Sequence, residues 1–487
     1  MTSPLVPGET CWRIERAARA AVIVDAENYF RIAREAMMKA KRQILLVGWD
    51  FDARIRLVHD ADDGAPETVG AFITWLVERT PELEVYLLRW DFGAIKTFFR
   101  GKTLLTTLAW MAKRQITTKL DGHHPTGGSH HQKIVVIDDC LAFCGGIDMT
   151  TERWDTRAHL DDEPRRVDPR GRAYKPWHDA TTALEGPVAA ALGELARQRW
   201  VMAGGDPIRP VPEPHDCWPT ALIPAFTHVD VAIARTIPEM ADQQPVHEIE
   251  QLYLRLIAKA QRFLYAESQY FASRRVAKAI VDRLQEADGP EIVIVNPETA
   301  QGWLEPLAMD TARARLVEAI RQNDPHRRFR LYQPFTAGGE AIYVHAKVLV
   351  VDDCVLRVGS SNFNNRSMRL DTECDVAIEA SEAEDRVAVA RIRDDLIAEH
   401  LGVQPDRFAA ELAQRGSLID AIEALRGPGR TLRDYVTPDL NAIEAWLAEN
   451  EVLDPENPED MFELADGDLL KGLRRRRRRD RALKKVR

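Results

Sequence analysis

The sequence predicts an α/β protein made of two copies of one α-β-α sandwich, followed by a helical C-terminal extension. Three observations predict it. Helical and strand-like periodicities alternate in the same order through both halves. A His-x-Lys-x4-Asp cassette recurs at His131 and His345, fixing a repeat of 214 residues. The proline-rich run DPIRPVPEPHD, residues 206–216, separates the halves. A chain of 487 residues is also too long for one ordinary core.

In the first half, Ile32, Met37 and Met38 recur at helical spacing over 26–41, ahead of the strand-like QILLVGWDFD from Gln43. A helix over 69–80 leads into LEVYLLRWD from Leu83, and KIVVIDD from Lys133 reads as a third strand. The second half repeats this with a helix over 247–259, RFLYAESQYF from Arg262, a helix over 274–286 and EIVIVNP from Glu291. A helix over 306–321, FRLYQP from Phe329 and AKVLVVDD from Ala346 complete it. Such alternation builds a mainly parallel or mixed sheet with helices on both faces, once per half. The expected lobes are 1–210 and 211–400, with a helical extension over 401–450. The acidic stretch and basic tail over 451–487 are expected to be disordered.

With 45% apolar and 29% charged residues, the composition is that of a soluble globular chain rather than a fibrous or disordered one. The apolar runs are broken by acids every few residues, so no transmembrane helix is expected. The N-terminal stretch lacks a basic start followed by an apolar core, so no Sec-type signal is expected. The expected address is cytoplasmic or peripheral to a membrane, with signal-independent secretion left open. Six cysteines without CxxC spacing, among them Cys140, Cys144, Cys354 and Cys374, read as reduced core thiols. The net charge of -10 conceals an asymmetry: the last 17 residues carry 11 Lys/Arg and one acid, so the body is near -20 and the tail +10. The arginines from Arg474 to Arg479 can attract anionic lipid headgroups or nucleic acid, or fold back on the acidic stretch.

The chemistry lies in the cassettes. The first reads His131, Lys133, Asp138, with Gly145-Gly146-Ile147-Asp148 and Arg153-Trp154-Asp155 behind it. The second reads His345, Lys347, Asp352, with Gly359-Ser360-Ser361-Asn362 and Glu373 behind it. Residues i and i+2 of a strand share a face, so each cassette sets an imidazole beside an ammonium. That pair suits a phosphodiester: lysine meets the charge building on non-bridging oxygens, and histidine attacks or moves a proton near neutrality. One such cassette is an ordinary coincidence of a polar strand; two in matching context are not. Asp138 and Asp352, at strand ends, are read as holders of geometry within the catalytic cassettes. Ser360 and Asn362 offer short donors to phosphate, and Asp148 stands where Asn362 does, so the half-sites differ. His123, His124 and His130 cluster nearby, but the acid pairs of a metal phosphodiesterase are missing around them. No metal and no cofactor are expected. Trp49, Trp154 and Trp177 can line an acyl or headgroup pocket or pack in the core; Trp49 reads as packing, and Trp177, beside His178-Asp179, is left open.

HHQKIVVIDD with GGIDMTTERWD, PWHD at Pro176, ESQYF at Glu267, and HAKVLVVDD with GSSNFNNRS resemble the phospholipase D superfamily over roughly residues 20–400. The GGID-RWD, WHD and SQYF elements resemble bacterial and eukaryotic-type phospholipases more than the short nucleases. The resemblance implies a bilobed single chain with its site at the lobe interface and a ping-pong route through a covalent phosphohistidine. It implies that His131 attacks while His345 protonates the leaving alcohol and then activates water, with the reverse assignment open. An acid shortly after the GSxN turn holds a histidine in such proteins; Glu373 fits that place for His345, and Asp155 or Asp161 is offered for His131. The implied reaction is hydrolysis of glycerophospholipids to phosphatidic acid and a free alcohol, with transphosphatidylation. The alternatives are phosphatidyl transfer of cardiolipin-synthase type, whose enzymes usually carry N-terminal membrane helices, and nuclease action, whose short chains carry one cassette and dimerise. The expected partners are phospholipid and a membrane surface rather than nucleic acid.

Overall fold

A computed structural model describes residues 3–91, 110, 113–213, 215–300 and 309–438. The acidic stretch, the basic tail with Arg474 to Arg479, the part of the extension beyond 438 and the start of the helix expected over 306–321 lie outside the described residues.

In the first half, β1 (Arg13–Val24), α1 (Ala26–Met38), β2 (Gln43–Gly48), α2 (Val69–Arg79), β3 (Glu84–Trp90) and β4 (Ile116–Asp121) lead to the hairpin β5 (Ile134–Ile137) and β6 (Leu141–Gly145). Then come β7 (Trp177–His178), β8 (Ala180–Glu185) and α3 (Pro187–Met202). The second half runs β9 (Phe226–Ile237), β10 (Val246–His247), α4 (Glu248–Lys259), β11 (Phe263–Glu267), α5 (Arg274–Leu284), β12 (Glu291–Val295), α6 (Thr311–Gln322) and β13 (Phe329–Phe335). It continues with β14 (Tyr343–Val344), β15 (Val348–Val351), β16 (Val355–Gly359), β17 (Glu373–Glu379), α7 (Ala383–Leu401), α8 (Pro405–Arg415), α9 (Leu418–Leu425) and β18 (Thr431–Asp434).

The two halves form one mixed sheet of 16 strands. From β1 outward the order is β8-β6-β5-β2-β3-β4, and from β9 outward it is β17-β16-β15-β11-β12-β13. The duplication is thus visible strand by strand. β1 and β9, pairing antiparallel from Arg13↔Ile233 to Ala20↔Phe226, stitch the copies together. Sequence reading assigns neither strand. The alanines of β1, with Ala17, Ala20 and Ala21 buried, are weak strand formers, and only the partners on both sides hold them extended. The C-terminal segment is not wholly helical: β18 returns to pair with β13 at the sheet edge.

Period-two alternation sorts each strand between layers. Leu45 and Val47 face a core shared by both lobes and closed by α3, α7, α8 and α9. Ile44 and Leu46 face the core under α1 and α2, while Leu264 and Ile292 face the one under α4 and α5. One correction concerns the thiols. Cys140 forms a disulfide with Cys217, because the inter-lobe linker lies across the β5–β6 turn. Cys144 and Cys374 are free and buried, and Cys354 is free and half-buried. Among the described residues no helix is long and apolar enough to cross a membrane.

Candidate active site

Each cassette enters its strand clamped by the other lobe. The His131 amide donates to the Thr372 carbonyl at 2.9 Å, and the His345 amide donates to the His178 carbonyl at 2.8 Å. The two lysines reach back along their own strands: Lys133 Nζ lies 3.0 Å from the His131 carbonyl, and Lys347 Nζ bonds the His345 carbonyl.

The acids that hold the histidines are crossed between lobes. Glu373 lies 3.0 and 2.9 Å from His131 Nδ1 through its two oxygens. Asp179 Oδ2 lies 2.7 Å from His345 Nδ1. Glu373 therefore does not serve His345, and neither Asp155 nor Asp161 serves His131. Asp155 binds His159 Nδ1 and the Trp177 amide, both at 2.9 Å, and Asp161 receives the Gly338 amide at 2.9 Å. The crossing follows from register. Thr181 pairs with Gly145, and Asp375 with Gly359; two residues earlier on the same strand face stand Asp179 and Glu373. They are repeat equivalents, and each points over the seam. Asp179 is the residue that sequence reading missed. Its signal was the WHD triplet, whose spacing to its cassette differs by 20 residues from that of Glu373. Gly146 is required there, since a Cβ on it would sit 2.2 Å from Asp179 Oδ1.

With a carboxylate accepting at Nδ1, the proton sits on that nitrogen and Nε2 keeps its lone pair. Burial holds the His131 pKa well below its ordinary value, aided by the charges of Lys133 and Lys347. Burial does the same for His345, aided by Lys347, Arg153, Lys133 and His131 itself, so the two imidazoles feel one field. Burial raises Glu373 against the hydrogen bond from Ser360 and the charge of Lys133, and raises Asp179 against the charge of Lys347. Lys347 is pushed down to about 7, by burial first, with Asp179 opposing and Lys133 adding to the fall.

The other expected residues divide into two groups. Asp138 accepts the amides of Lys41, Arg42 and Gln43 at 2.6, 2.9 and 2.6 Å. Asp352 accepts those of Gln261, Arg262 and Phe263 at 2.6, 2.7 and 2.8 Å. Both sit at the far end of the cassette strand with φ near +50°, in the first central place of a primed hairpin turn. They anchor the neighbouring strand. Asp148 pairs with Lys133 at 3.1 Å and accepts the Trp49 amide at 2.9 Å. Ser360 Oγ donates to Glu373 at 2.5 Å, so it braces the acid rather than phosphate. Asn362 is buried with Oδ1 unbonded. Trp49 stacks on Trp90, whereas Trp177 stacks on Tyr343 at 4.6 Å and lies 5.2 Å from the His345 ring, with Arg153 over it at 4.3 Å. Trp177 belongs to the site, and Trp154 packs in the core. His124 and His130 bind Asp91 and Thr372, at 3.0 and 3.2 Å, and form no cluster.

Two family models match this arrangement: "Phospholipase D" over residues 36–215, and "Cardiolipin synthase, PLD-like domain" over 253–391. The chain belongs to the phospholipase D superfamily. Members similar in sequence include phospholipase D alpha 1 of Carica papaya, 24% identical over 520 residues, and that of Arabidopsis thaliana, 24% over 528. Each match covers 77% of this chain and 64% of the plant protein, so the chain spans under two thirds of the length of these superfamily relatives. A solved phosphatidylserine synthase of Haemophilus influenzae Rd KW20 shares the superfamily fold, with a TM-score of 0.54 at 13% identity, covering 83% of this chain and 96% of that one.

Proposed function

We propose that the protein is a phospholipase D that hydrolyses the distal phosphodiester of glycerophospholipids. The crossed pairs, Glu373 on His131 and Asp179 on His345, carry the reading, because they give two buried imidazoles, each with an acceptor on Nδ1 and Nε2 left for phosphorus or proton. His131 Nε2 attacks phosphorus, the bond to the headgroup oxygen breaks, and His345, which takes a proton on Nε2 as the anionic phosphodiester binds, gives that proton to the oxygen. Water, losing a proton to His345, then attacks the phosphohistidine; the P–N bond breaks and phosphatidic acid leaves. Lys133 and Lys347 meet the charge on the non-bridging oxygens. Glu373 and Asp179 stabilise each imidazolium as it forms.

A covalent intermediate also passes its phosphatidyl group to other alcohols, which is the transferase alternative in the same site. The test is a panel of phosphatidylcholine and phosphatidylethanolamine vesicles with and without butanol, with His131→Ala as control. Phosphatidylbutanol forming at the expense of phosphatidic acid is the expected result. Hydrolysis with no butanol product, or turnover that survives His131→Ala, would overturn the covalent route. Turnover only with an alcohol acceptor would favour the transferase. For the tail, removing Leu473 to Arg487 is expected to weaken binding to anionic vesicles in a salt-dependent way.

A further inference from the structure

Directly behind the second half-site lies a closed set of side chains that the reaction does not use. His159, His178, Asp25 and Glu399 are all buried, and each brings one ligand atom within 4.8 Å of the others. His178 Nδ1 lies 2.9 Å from Glu399 Oε1 and 3.3 Å from Asp25 Oδ1. His159 Nε2 lies 3.1 Å from Glu399 Oε1 and 3.5 Å from Asp25 Oδ2. These separations bracket the ligand-to-ligand edge of about 3.3 Å that a tetrahedron with bonds of about 2.0–2.1 Å requires.

Two further observations point to a cation. Asp25 Oδ2, on a fully buried side chain, accepts no hydrogen bond and is aimed into the set. The outer nitrogens of both imidazoles are held by their own carboxylates: His159 Nδ1 by Asp155 at 2.9 Å, and His178 Nε2 by Glu267 at 2.9 Å. That is the carboxylate–histidine–metal relay by which proteins fix the tautomer and direction of metal-ligating imidazoles. Glu267 is braced in turn by Tyr265 at 2.6 Å and His400 at 3.0 Å.

We infer that Asp25, His159, His178 and Glu399 form a structural binding site for one divalent cation of the zinc class. Four protein ligands of nitrogen and oxygen in tetrahedral spacing leave no open position, which is the pattern of a structural rather than a catalytic zinc. The sequence hides the site, because its ligands come from the start of α1, the loop before β7, β7 itself and the end of α7. The cation ties the end of α7 to the first lobe behind the seam. It also steadies the second histidine, since the Asp179 amide donates to Asp25 Oδ1 at 3.1 Å and the His178 carbonyl receives the His345 amide. This departs from the sequence-based expectation of no metal and does not depend on which phosphodiester is cleaved.

The test is elemental analysis of the full chain, purified from zinc-supplemented cells and passed over a weak chelator. About one zinc per chain is the expected result. Replacing zinc by Co2+ should give the visible absorption of four-coordinate cobalt without a thiolate charge-transfer band, which separates this site from the Cys140, His215 and Cys217 group, a thiolate site only where its disulfide is reduced. Glu399→Gln should abolish stoichiometric zinc, Asp155→Asn should weaken binding roughly 10–100-fold, and His131→Ala and Cys217→Ser should retain it. Less than a tenth of an equivalent together with no cobalt spectrum in the wild-type chain would overturn the inference and leave two protons on the imidazoles as the closure. Retention in Glu399→Gln, or a thiolate band in the wild type together with loss of the metal in Cys217→Ser, would overturn it as well. The wild-type cobalt spectrum decides even if Glu399→Gln does not fold.

Discussion

In the first half-site Lys133 faces the carboxylate of Asp148 at 3.1 Å; in the second, Lys347 faces the amide oxygen of Gln269 at 3.4 Å. The first acid, Glu373, is braced by the hydroxyls of Ser360 and Ser367, at 2.5 and 2.7 Å. The second, Asp179, takes the Ala180 amide at 2.8 Å and shares its segment with the ionic cluster around His178. The same repeat, folded twice, has kept its scaffold and changed its charge balance. The first lysine is ion-paired with a carboxylate, whereas the second, buried, has an amide oxygen as its side-chain partner and feels the charges of Asp179 and Glu373.

The largest expected effect breaks the symmetry outright. His131→Ala should remove hydrolysis of every substrate, because no nucleophile remains. His345→Ala should cost roughly 10²–10⁴-fold on natural lipids, but far less for release of a leaving group such as p-nitrophenol that needs no proton. Burst kinetics on both substrates checks this; equal losses on both would show that the two histidines do not divide the roles.

The crossed acids should follow their histidines. Replacing the carboxylate that orients a catalytic imidazole by its amide costs on the order of 10⁴-fold in a Ser-His-Asp triad. Glu373→Gln should therefore stay impaired with the activated leaving group, while Asp179→Asn should be largely rescued in the first step. The opposite pattern would restore the uncrossed pairing.

The lysines differ in their pH behaviour. The free-enzyme pKa of Lys347 is about 7, so its cation is present below that pH and lost above it. The kcat/KM profile should fall about tenfold per pH unit above 7. Lys347→Arg should carry that limb upward, because a guanidinium does not deprotonate. Since His131 is held well below its ordinary value, its neutral form persists at pH 6.5, and the acid limb should lie lower still. An unmoved basic limb in Lys347→Arg would assign it to another group.

The smallest kinetic effect belongs to residues remote from phosphorus. Asp138→Ala or Asp352→Ala strips three amides of their acceptor and should destabilise by roughly 2–3 kcal/mol. The urea midpoint should fall, while kcat of the folded fraction stays within about twofold. A large kcat loss at unchanged stability would return these aspartates to the reaction.

What the sequence made legible was local or repeated. The cassettes, their strands and most of the flanking helices could be read because i, i+2 pairing and helical periodicity act within a few residues. The seam could not, since the alanines of β1 carry no strand signal until β8 and β9 flank them. Nor could the partner of each histidine. The place of Glu373 behind the GSSN turn marks it as a histidine partner but points to His345 rather than His131, because nearness in sequence says nothing of which lobe a side chain points toward. Asp179 lay in a noticed triplet, but its role depends on the register of β8 against β6. The disulfide of Cys140 with Cys217, which no spacing rule marks, depends on where the linker is laid.

The central claim is that His131, oriented from the other lobe by Glu373, is the attacking group. Rapid quenching of the wild-type enzyme and of His345→Ala during turnover of an activated phosphatidyl ester, followed by alkaline peptide mapping, tests it most directly. A phosphohistidine at His131 is expected in both, accumulating in His345→Ala because water is no longer activated. A label on the peptide carrying His345 in the wild type, or no acid-labile label in either protein, would contradict it.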